Sequence, residues 1–204
     1  MSAPSSNRRF RFACVVLAAG AGRRFGGPKA LAELKPGERF LDAVVGIAAE
    51  ADANPVVAVV QRGTEVPAPA RRVEAPNPTD EQISSLRLGL AQLTGVPVTG
   101  ALVWPVDHPF VTLRTVLAVV DAHQRTGAPI VVPAYGGRRG HPVFFDRSTW
   151  RELMTVSEGG ARAVVHTYGE RVLAVEAGDP GVLRDIDTRA DLVGGGSEGN
   201  GVSR

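Results

Sequence analysis

Valine-rich apolar runs punctuate the chain at residues 12–17, 55–60, 101–106 and 130–132, each bounded by Gly, Pro, Asn or Asp. Continuous runs of this length predict strands buried on both faces, as in a parallel sheet. Between them, apolar residues recur at helical spacing: Phe40, Val44, Val45, Ile47 and Ala48; Leu86, Leu90 and Leu93; Leu113, Val116, Leu117 and Val120. Strands alternating with such helices imply βαβ units with right-handed crossovers, and hence a doubly wound α/β fold.

The pattern changes further along. "GHPVFF" and "RVLAVEAG" read as strands, and residues 149–155 and 161–166 as helices, which predicts a mixed C-terminal edge on a mostly parallel sheet. Residues 67–77, with "PAPARR", read as a loop. The expected organisation is a disordered segment over 1–10, one Rossmann-like three-layer α/β/α domain over 11–193, and a disordered Gly-rich tail over 194–204.

Composition agrees with a single domain: 204 residues, 44% hydrophobic, bury a sizeable core without disulfides or metals. The lone Cys14 lies in an apolar run and reads as packing rather than chemistry; a reducing cytoplasm fits. Neither a membrane-spanning run nor a signal-peptide core is present, so a soluble, unexported protein is expected, with no membrane partner. A net charge of +2 with scattered cations argues against nucleic acid. Arginine supplies nearly all positive charge; Lys29 and Lys35 are the only lysines, which draws attention to Lys29.

Lys29 ends the stretch "VVLAAGAGRRFGGPK", which follows the first strand, the usual phosphate site of an open α/β sheet. Gly20 and Gly22 permit positive φ and close backbone approach, so successive N–H groups along Leu17, Ala18, Ala19, Gly20, Ala21 and Gly22 can cradle an anion, with Arg24 and Lys29 adding charge. A dinucleotide fingerprint needs G-x-G-x-x-G running into a helix, and no helix passes smoothly through "FGGPK". An extended loop wrapped around a triphosphate is the expectation; a plain strand-to-helix turn with solvated arginines is the alternative.

Asp107 closes the third apolar run before His108-Pro109, which sets a carboxylate at the sheet's carboxyl edge beside the loop; hard oxygen of this kind suits Mg²⁺. Capping of the helix near Thr112 is its other reading. In "DIDT", alternation puts Asp185 and Asp187 on one side, within reach of one ion, or either starts a short helix. His141 and Arg139, in "GGRRGHP", are candidates for an acceptor contact, or a plain surface loop. His123 and His166 read as packed or solvated, Trp104 and Trp150 as core. No nucleophile elbow, Cys–His pair or zinc spacing is present.

"LAAGAGRRFGGPK" matches throughout the signature L-A-A-G-x-[SG]-x-R-[MF]-G-x-x-K, and the chain thereby resembles the MobA-like nucleotidyltransferases, including molybdenum-cofactor guanylyl- and cytidylyltransferases. The resemblance continues through "NPTDEQISSLRLGL", "WPVDHPFVT", "GRRGHPVFF" and "RDIDTRADL", roughly residues 12–192. It implies a nucleotide-diphospho-sugar transferase-like fold, Arg24 (not Arg23) and Lys29 as catalytic groups on the triphosphate, Asp107 and Asp187 as metal ligands, and base recognition near Ser84 and Ser85. The chain departs from many relatives at Val106 and Glu81, where glycine or a small residue is common.

The leading reading is Mg²⁺-dependent transfer of a nucleoside monophosphate from a triphosphate to a phosphate-bearing acceptor, with pyrophosphate leaving. "LAAG" and "GHP" resemble the cytidylyl branch, which implies CTP, with GTP as the other donor, a molybdopterin-type acceptor and a molybdenum hydroxylase as partner. Two further readings stand beside it: an NAD(P)H-dependent oxidoreductase of the nicotine-blue reductase type, and a non-catalytic chaperone for molybdenum cofactor.

Overall fold

A computed structural model describes residues 10–77 and 81–193. The elements run β1 (Phe12–Ala18), β2 (Glu33–Lys35), β3 (Glu38–Arg39), α1 (Phe40–Glu50), β4 (Val56–Val60), β5 (Arg71–Glu74), α2 (Gln82–Ala91), β6 (Gly100–Pro105) and α3 (Leu113–Thr126). They continue as β7 (Ile130–Tyr135), β8 (Arg138–Arg139), β9 (Val143–Asp146), α4 (Trp150–Thr155), α5 (Gly160–Tyr168), β10 (Val172–Glu176) and α6 (Arg189–Val193).

The large sheet has the order β10-β7-β9-β6-β1-β4-β5, with β8 added to β7. β6, β1, β4 and β5 are mutually parallel, as are β7 and β10; β9 is antiparallel to both of its neighbours. The mixed part is therefore the C-terminal half of the sheet. Its antiparallel strand is inserted between β6 and β7, and β10 at the outer edge is parallel to β7.

Alternation along β1 sorts the core into two layers. Phe12, Cys14, Val16 and Ala18 face α1 and α3, whose Leu41, Val44, Val45, Val116 and Val119 cover them. Ala13, Val15 and Leu17 face α2, α4 and α5, represented by Leu86, Leu90, Leu153 and Val164. With both faces covered, the strands are apolar throughout, and each buried Val contributes roughly 1.5–3 kcal/mol. α2 sits so close to β1 that a Cβ on Gly89 would lie 2.3 Å from Val15 Cγ1, so only glycine fits. Burial pushes the Cys14 thiol pKa up, in keeping with packing.

One pairing departs from expectation. Residues 71–74, read as loop, form β5 on β4, with Arg71 and Arg72 exposed. An edge strand needs only one neighbour and carries no apolar alternation, while its arginines blunt the free edge. Glu33–Lys35 and Glu38–Arg39 form a small hairpin around Pro36-Gly37, where φ of Gly37 is 80°.

Phe10, assigned to a loose N-terminus, packs its ring 5.9 Å from Phe12 and 6.4 Å from Phe144. The rest of that segment and the Gly-rich tail lie outside the described residues. Among the described residues no helix is long and apolar enough to cross a membrane.

Candidate functional site

β1 and β6 are paired through Leu17 and Pro105, and the chain leaves both at the same edge of the sheet. After β1 the backbone folds on itself: Gly22 O accepts from Phe25 N (2.9 Å), Gly26 N (2.9 Å) and Gly27 N (3.1 Å). Gly22 has φ of 58°, and a Cβ there would stand 1.8 Å from Gly27 O, so the turn requires glycine.

The expected extended loop is therefore a closed turn. Its last three N–H groups are used internally, and backbone cradling of an anion falls to the residues before Phe25. Gly20, in contrast, has no positive φ, and a Cβ there would meet nothing within 4 Å. Phe25 anchors the turn, its buried ring edge-on to Phe40 at 5.9 Å. Pro28 then starts a short 3₁₀ turn, Lys29–Leu31, which brings Lys29 back under the sheet edge.

There the Lys29 Nζ donates to Asp187 Oδ1 at 2.7 Å and to Asp107 Oδ2 at 3.1 Å, and Arg24 Nη1 lies 2.9 Å from Asp187 Oδ2. Burial of Lys29 disfavours its charge, but the Asp187 hydrogen bond and the Asp107 charge outweigh it, and its pKa is raised. The Lys29 hydrogen bond lowers that of Asp187.

Both aspartates are free for this role because other groups do the capping. The carboxylate at the start of α3 is Asp179, whose Oδ2 accepts from Thr112 N (2.9 Å), Thr112 Oγ1 (2.8 Å) and Thr115 Oγ1 (2.6 Å). At α6, Asp191 Oδ2 accepts from Asp187 N and Thr188 N, which leaves the Asp187 side chain unclaimed. Ile186 N donates to Asp107 O at 2.9 Å, so the two acidic segments are zipped together. Asp185 is exposed and joins no ion pair among the described residues; buried Ile186 separates it from Asp187.

Leu17, Ala19, Gly20, Gly22, Arg24, Lys29, Ser85, Asp107 and Asp187 line one cavity of about 330 Å³. Ala18 turns its methyl into the opposite core layer, and Ala21 and Ser84 are not in the lining. Arg139 and His141 line a neighbouring cavity instead. His141 packs against His108 with centroids 4.7 Å apart and the rings tilted by 50°; burial, with His108 alongside, pushes its pKa down to about 4, and burial lowers that of His108 too. Trp104 is core, its Nε1 donating to His108 O at 3.1 Å. Trp150 likewise donates to Phe145 O at 3.2 Å, and His123 is buried on Ala128 O.

Sequence reasoning missed Gln82, Gln61 and Asp179. Gln82 lines both cavities, one helical turn before Ser85 on the same face of α2, a spacing that could have revealed it. Gln61, just past β4, donates to Gly20 O at 3.0 Å and steadies the turn from a strand end that apolar patterning stops short of. Asp179 sits in an ordinary "GDP" turn with no local signal.

Among the described residues no three His, Cys, Asp or Glu side chains converge on a metal-sized space. The donor set still suits a hard cation, since Asp107 and Asp187 already share one, the Lys29 ammonium. A divalent ion held by two carboxylates and completed by phosphate and water oxygens is the ordinary Mg²⁺ arrangement.

The model of the MobA-like NTP transferase domain matches residues 14–172. No curated protein matches significantly. Among solved structures, Rv0371c from Mycobacterium tuberculosis is 27% identical with a TM-score of 0.73, covering 89% of this chain and 95% of its own. Another structure of that protein, in complex with manganese, is 26% identical with a TM-score of 0.65, over 89% and 95% of the two chains. The 2-C-methyl-D-erythritol 4-phosphate cytidylyltransferase of Thermus thermophilus, at 21% identity and a TM-score of 0.68 over 90% and 96% of the chains, shares the fold. The chain belongs to the family of MobA-like NTP transferase domains and is a nucleotidyltransferase.

Proposed function

We propose that this enzyme transfers a nucleoside monophosphate from CTP to a phosphate-bearing acceptor of the molybdopterin type, with Mg²⁺ as its metal. The observation that carries the reading is the position of Lys29, a cation held between two carboxylates at the mouth of a glycine turn. Such a cluster is neutral without ligand: two acids against Arg24 and Lys29. A triphosphate entering the cavity draws Arg24 and Lys29 onto its oxygens and leaves Asp107 and Asp187 to a divalent cation.

In the reaction an acceptor oxygen forms a bond to the α-phosphorus in line with the bridging oxygen. The bond to that oxygen breaks, and pyrophosphate leaves with the electron pair. Lys29 and Arg24 neutralise charge that builds on the phosphoryl oxygens, Gly20 and Gly22 let the backbone approach them, and Ser85 with Leu17 borders the base. Bound Mg²⁺, held by Asp107 and Asp187, supplies Lewis-acid stabilisation of the leaving pyrophosphate. His141 and Arg139 face the acceptor. The manganese complex of Rv0371c supports a divalent metal in a relative.

CTP is favoured by "LAAG" and "GHP", which resemble the cytidylyl branch; a molybdenum hydroxylase as recipient of the product follows from the same likeness, and the lone Cys14 fits a reducing cytoplasm. The test is calorimetric titration with CTP, GTP, ATP, UTP, NADH and NADPH, with and without Mg²⁺. Mg²⁺-dependent binding of CTP above the others is expected; binding of NADPH alone would replace this reading with the reductase.

A further inference from the structure

Buried side-chain nitrogens without a hydrogen-bond partner occur at one place among the described residues, the Nδ1 atoms of His108 and His141, whose rings pack 4.7 Å apart. Each costs free energy that an apolar side chain of similar volume would avoid, so packing alone does not account for polar rings here. His108 stands where three segments meet. Its carbonyl is fixed to β6 by the fully buried Trp104, whose Nε1 donates to it at 3.1 Å. The residue before it is Asp107, whose backbone oxygen accepts from Ile186 N at 2.9 Å. Burial lowers the His108 pKa and favours the neutral ring, while the charges of Asp107 and Asp185 and the Gly181 carbonyl act the other way. With Nδ1 unpartnered, the nitrogen that meets the Gly181 carbonyl is Nε2. The ring thus ties the loop that carries Asp107 to the 179–187 segment that carries Asp187.

That segment is gripped on both sides. A Cβ on Gly181 would lie 2.3 Å from Phe110 O, and one on Gly140 would lie 2.1 Å from Val182 O, to which His141 N donates at 2.9 Å. The backbone therefore runs in a slot between the loop after β6 and the turn before β9, and His108 is a side-chain tie across that slot beside the acidic pair. We propose that His108 is a positioning residue for the divalent cation: by holding Gly181 it sets Asp187 against Asp107 at the separation that the Lys29 ammonium bridges and that one metal ion spans. The proposal rests on the metal-binding part of the nucleotidyl-transfer reading and adds to it a buried residue to which that reading gives no role. Outer partners of this kind orient metal ligands without touching the metal.

Mn²⁺ is the probe. Its binding to the full chain is read by water-proton relaxation with inorganic pyrophosphate present, which occupies Arg24 and Lys29 whatever the base of the donor, against the same mixture without protein. Three variants divide the ring by its atoms: His108→Gln keeps a nitrogen at the reach of Nε2, His108→Asn ends at the position of Nδ1 and falls short of Gly181, and His108→Leu keeps neither. Leu and Asn should each weaken Mn²⁺ binding about tenfold, while Gln stays within about threefold of the unaltered protein. Metal-free thermal unfolding shows which variants are folded, and Asn carries the comparison where Leu is not. Unchanged Mn²⁺ affinity in Leu or Asn, or a Gln variant as weak as Asn, overturns the proposal. Absence of Mn²⁺ binding by the unaltered protein removes the metal site and this proposal with it. Failure of CTP to bind, with the contrast between Gln and Asn intact, removes the donor from the transfer reading and leaves the role of His108 in place.

Discussion

The Lys29 ammonium donates to Asp187 Oδ1 at 2.7 Å across a sequence separation of 158 residues. The same nitrogen reaches Asp107, so a single cation joins the first, middle and last parts of the domain. The lysine side chain is 12% exposed, and solvent screens this contact far less than it screens the 77% exposed Arg24. Lys29 is thus a structural tie, and under the proposed function a triphosphate must win it from its carboxylates.

Lys29→Ala should therefore weaken triphosphate binding by about 1.5–3 kcal/mol, the value of a charge-assisted contact. It also leaves two carboxylates facing each other, which lowers the unfolding temperature in the absence of divalent cation and restores part of it when Mg²⁺ is added. Calorimetry and thermal unfolding measure the two effects; unchanged nucleotide affinity removes Lys29 from the site.

Asp107→Asn and Asp187→Asn should each abolish metal-dependent turnover while the fold persists, because both groups are partly exposed and neither is core. Asp185→Asn should leave turnover unchanged. Pyrophosphate release as a function of Mg²⁺ concentration reads all three, and equal effects at Asp185 and Asp187 refute the choice between them.

pH acts on the same cluster with a definite sign. The Asp187 carboxyl is held below its ordinary value by the Lys29 hydrogen bond, so its stabilising contribution is present above the unfolded carboxylate range and disappears as pH falls through the folded value. Lys29, raised above the ordinary lysine value, contributes below its unfolded value for as long as its aspartates stay ionised, and loses its contribution on the alkaline side as pH rises through its folded value. The difference in unfolding temperature between the native chain and Asp187→Asn should be constant near neutrality and shrink below about pH 4.

Gly22→Ala and Gly20→Ala should separate strain from ligand approach. The first places a methyl within 1.8 Å of Gly27 O at a φ of 58°, and should open the turn, lower stability and lose nucleotide binding together. The second meets no protein atom within 4 Å, so stability should hold while a triphosphate that approaches the backbone there binds less well. Parallel unfolding and binding curves distinguish the pair.

Asp179→Asn tests positioning. The carboxylate ties α3 to the segment that carries Asp187, through Thr112, Thr115 and Gly181 N at 2.9 Å. Its loss should raise the Mg²⁺ concentration needed for half-maximal turnover more than it changes nucleotide affinity, because the displaced group is Asp187 rather than the glycine turn. Burial raises the Asp179 pKa, but its hydrogen bonds lower it further, so this tie too weakens only as pH drops below the ordinary carboxylate range.

Much of this was legible from the residues alone. The valine runs of β1, β4, β6 and β7 and the helical spacing of α1 to α3 follow from burial on both faces of a sheet, a local property of pattern. The glycine turn with its single lysine was likewise visible, since only special residues tolerate that backbone. Their places in apolar runs already argued for packing at Cys14 and Trp104.

What the pattern left out was decided by partners distant along the chain. β5 exists because β4 offers an unpaired edge, not because "RRVE" prefers to be extended. β9 lies inside the sheet because pairing chooses neighbours in space, and no local spacing records that choice. Asp185 and Asp187 are equivalent as letters; the hydrogen bond from Ile186 to Asp107 and the cap supplied by Asp191 select one of them. The sequence by itself determined the fold class and the place of the glycine turn after β1, because hydrophobic period and glycine backbone freedom act locally. Tertiary structure alone decided which carboxylates share the Lys29 charge, because electrostatic and hydrogen-bond partners are chosen by distance, and folding sets distance.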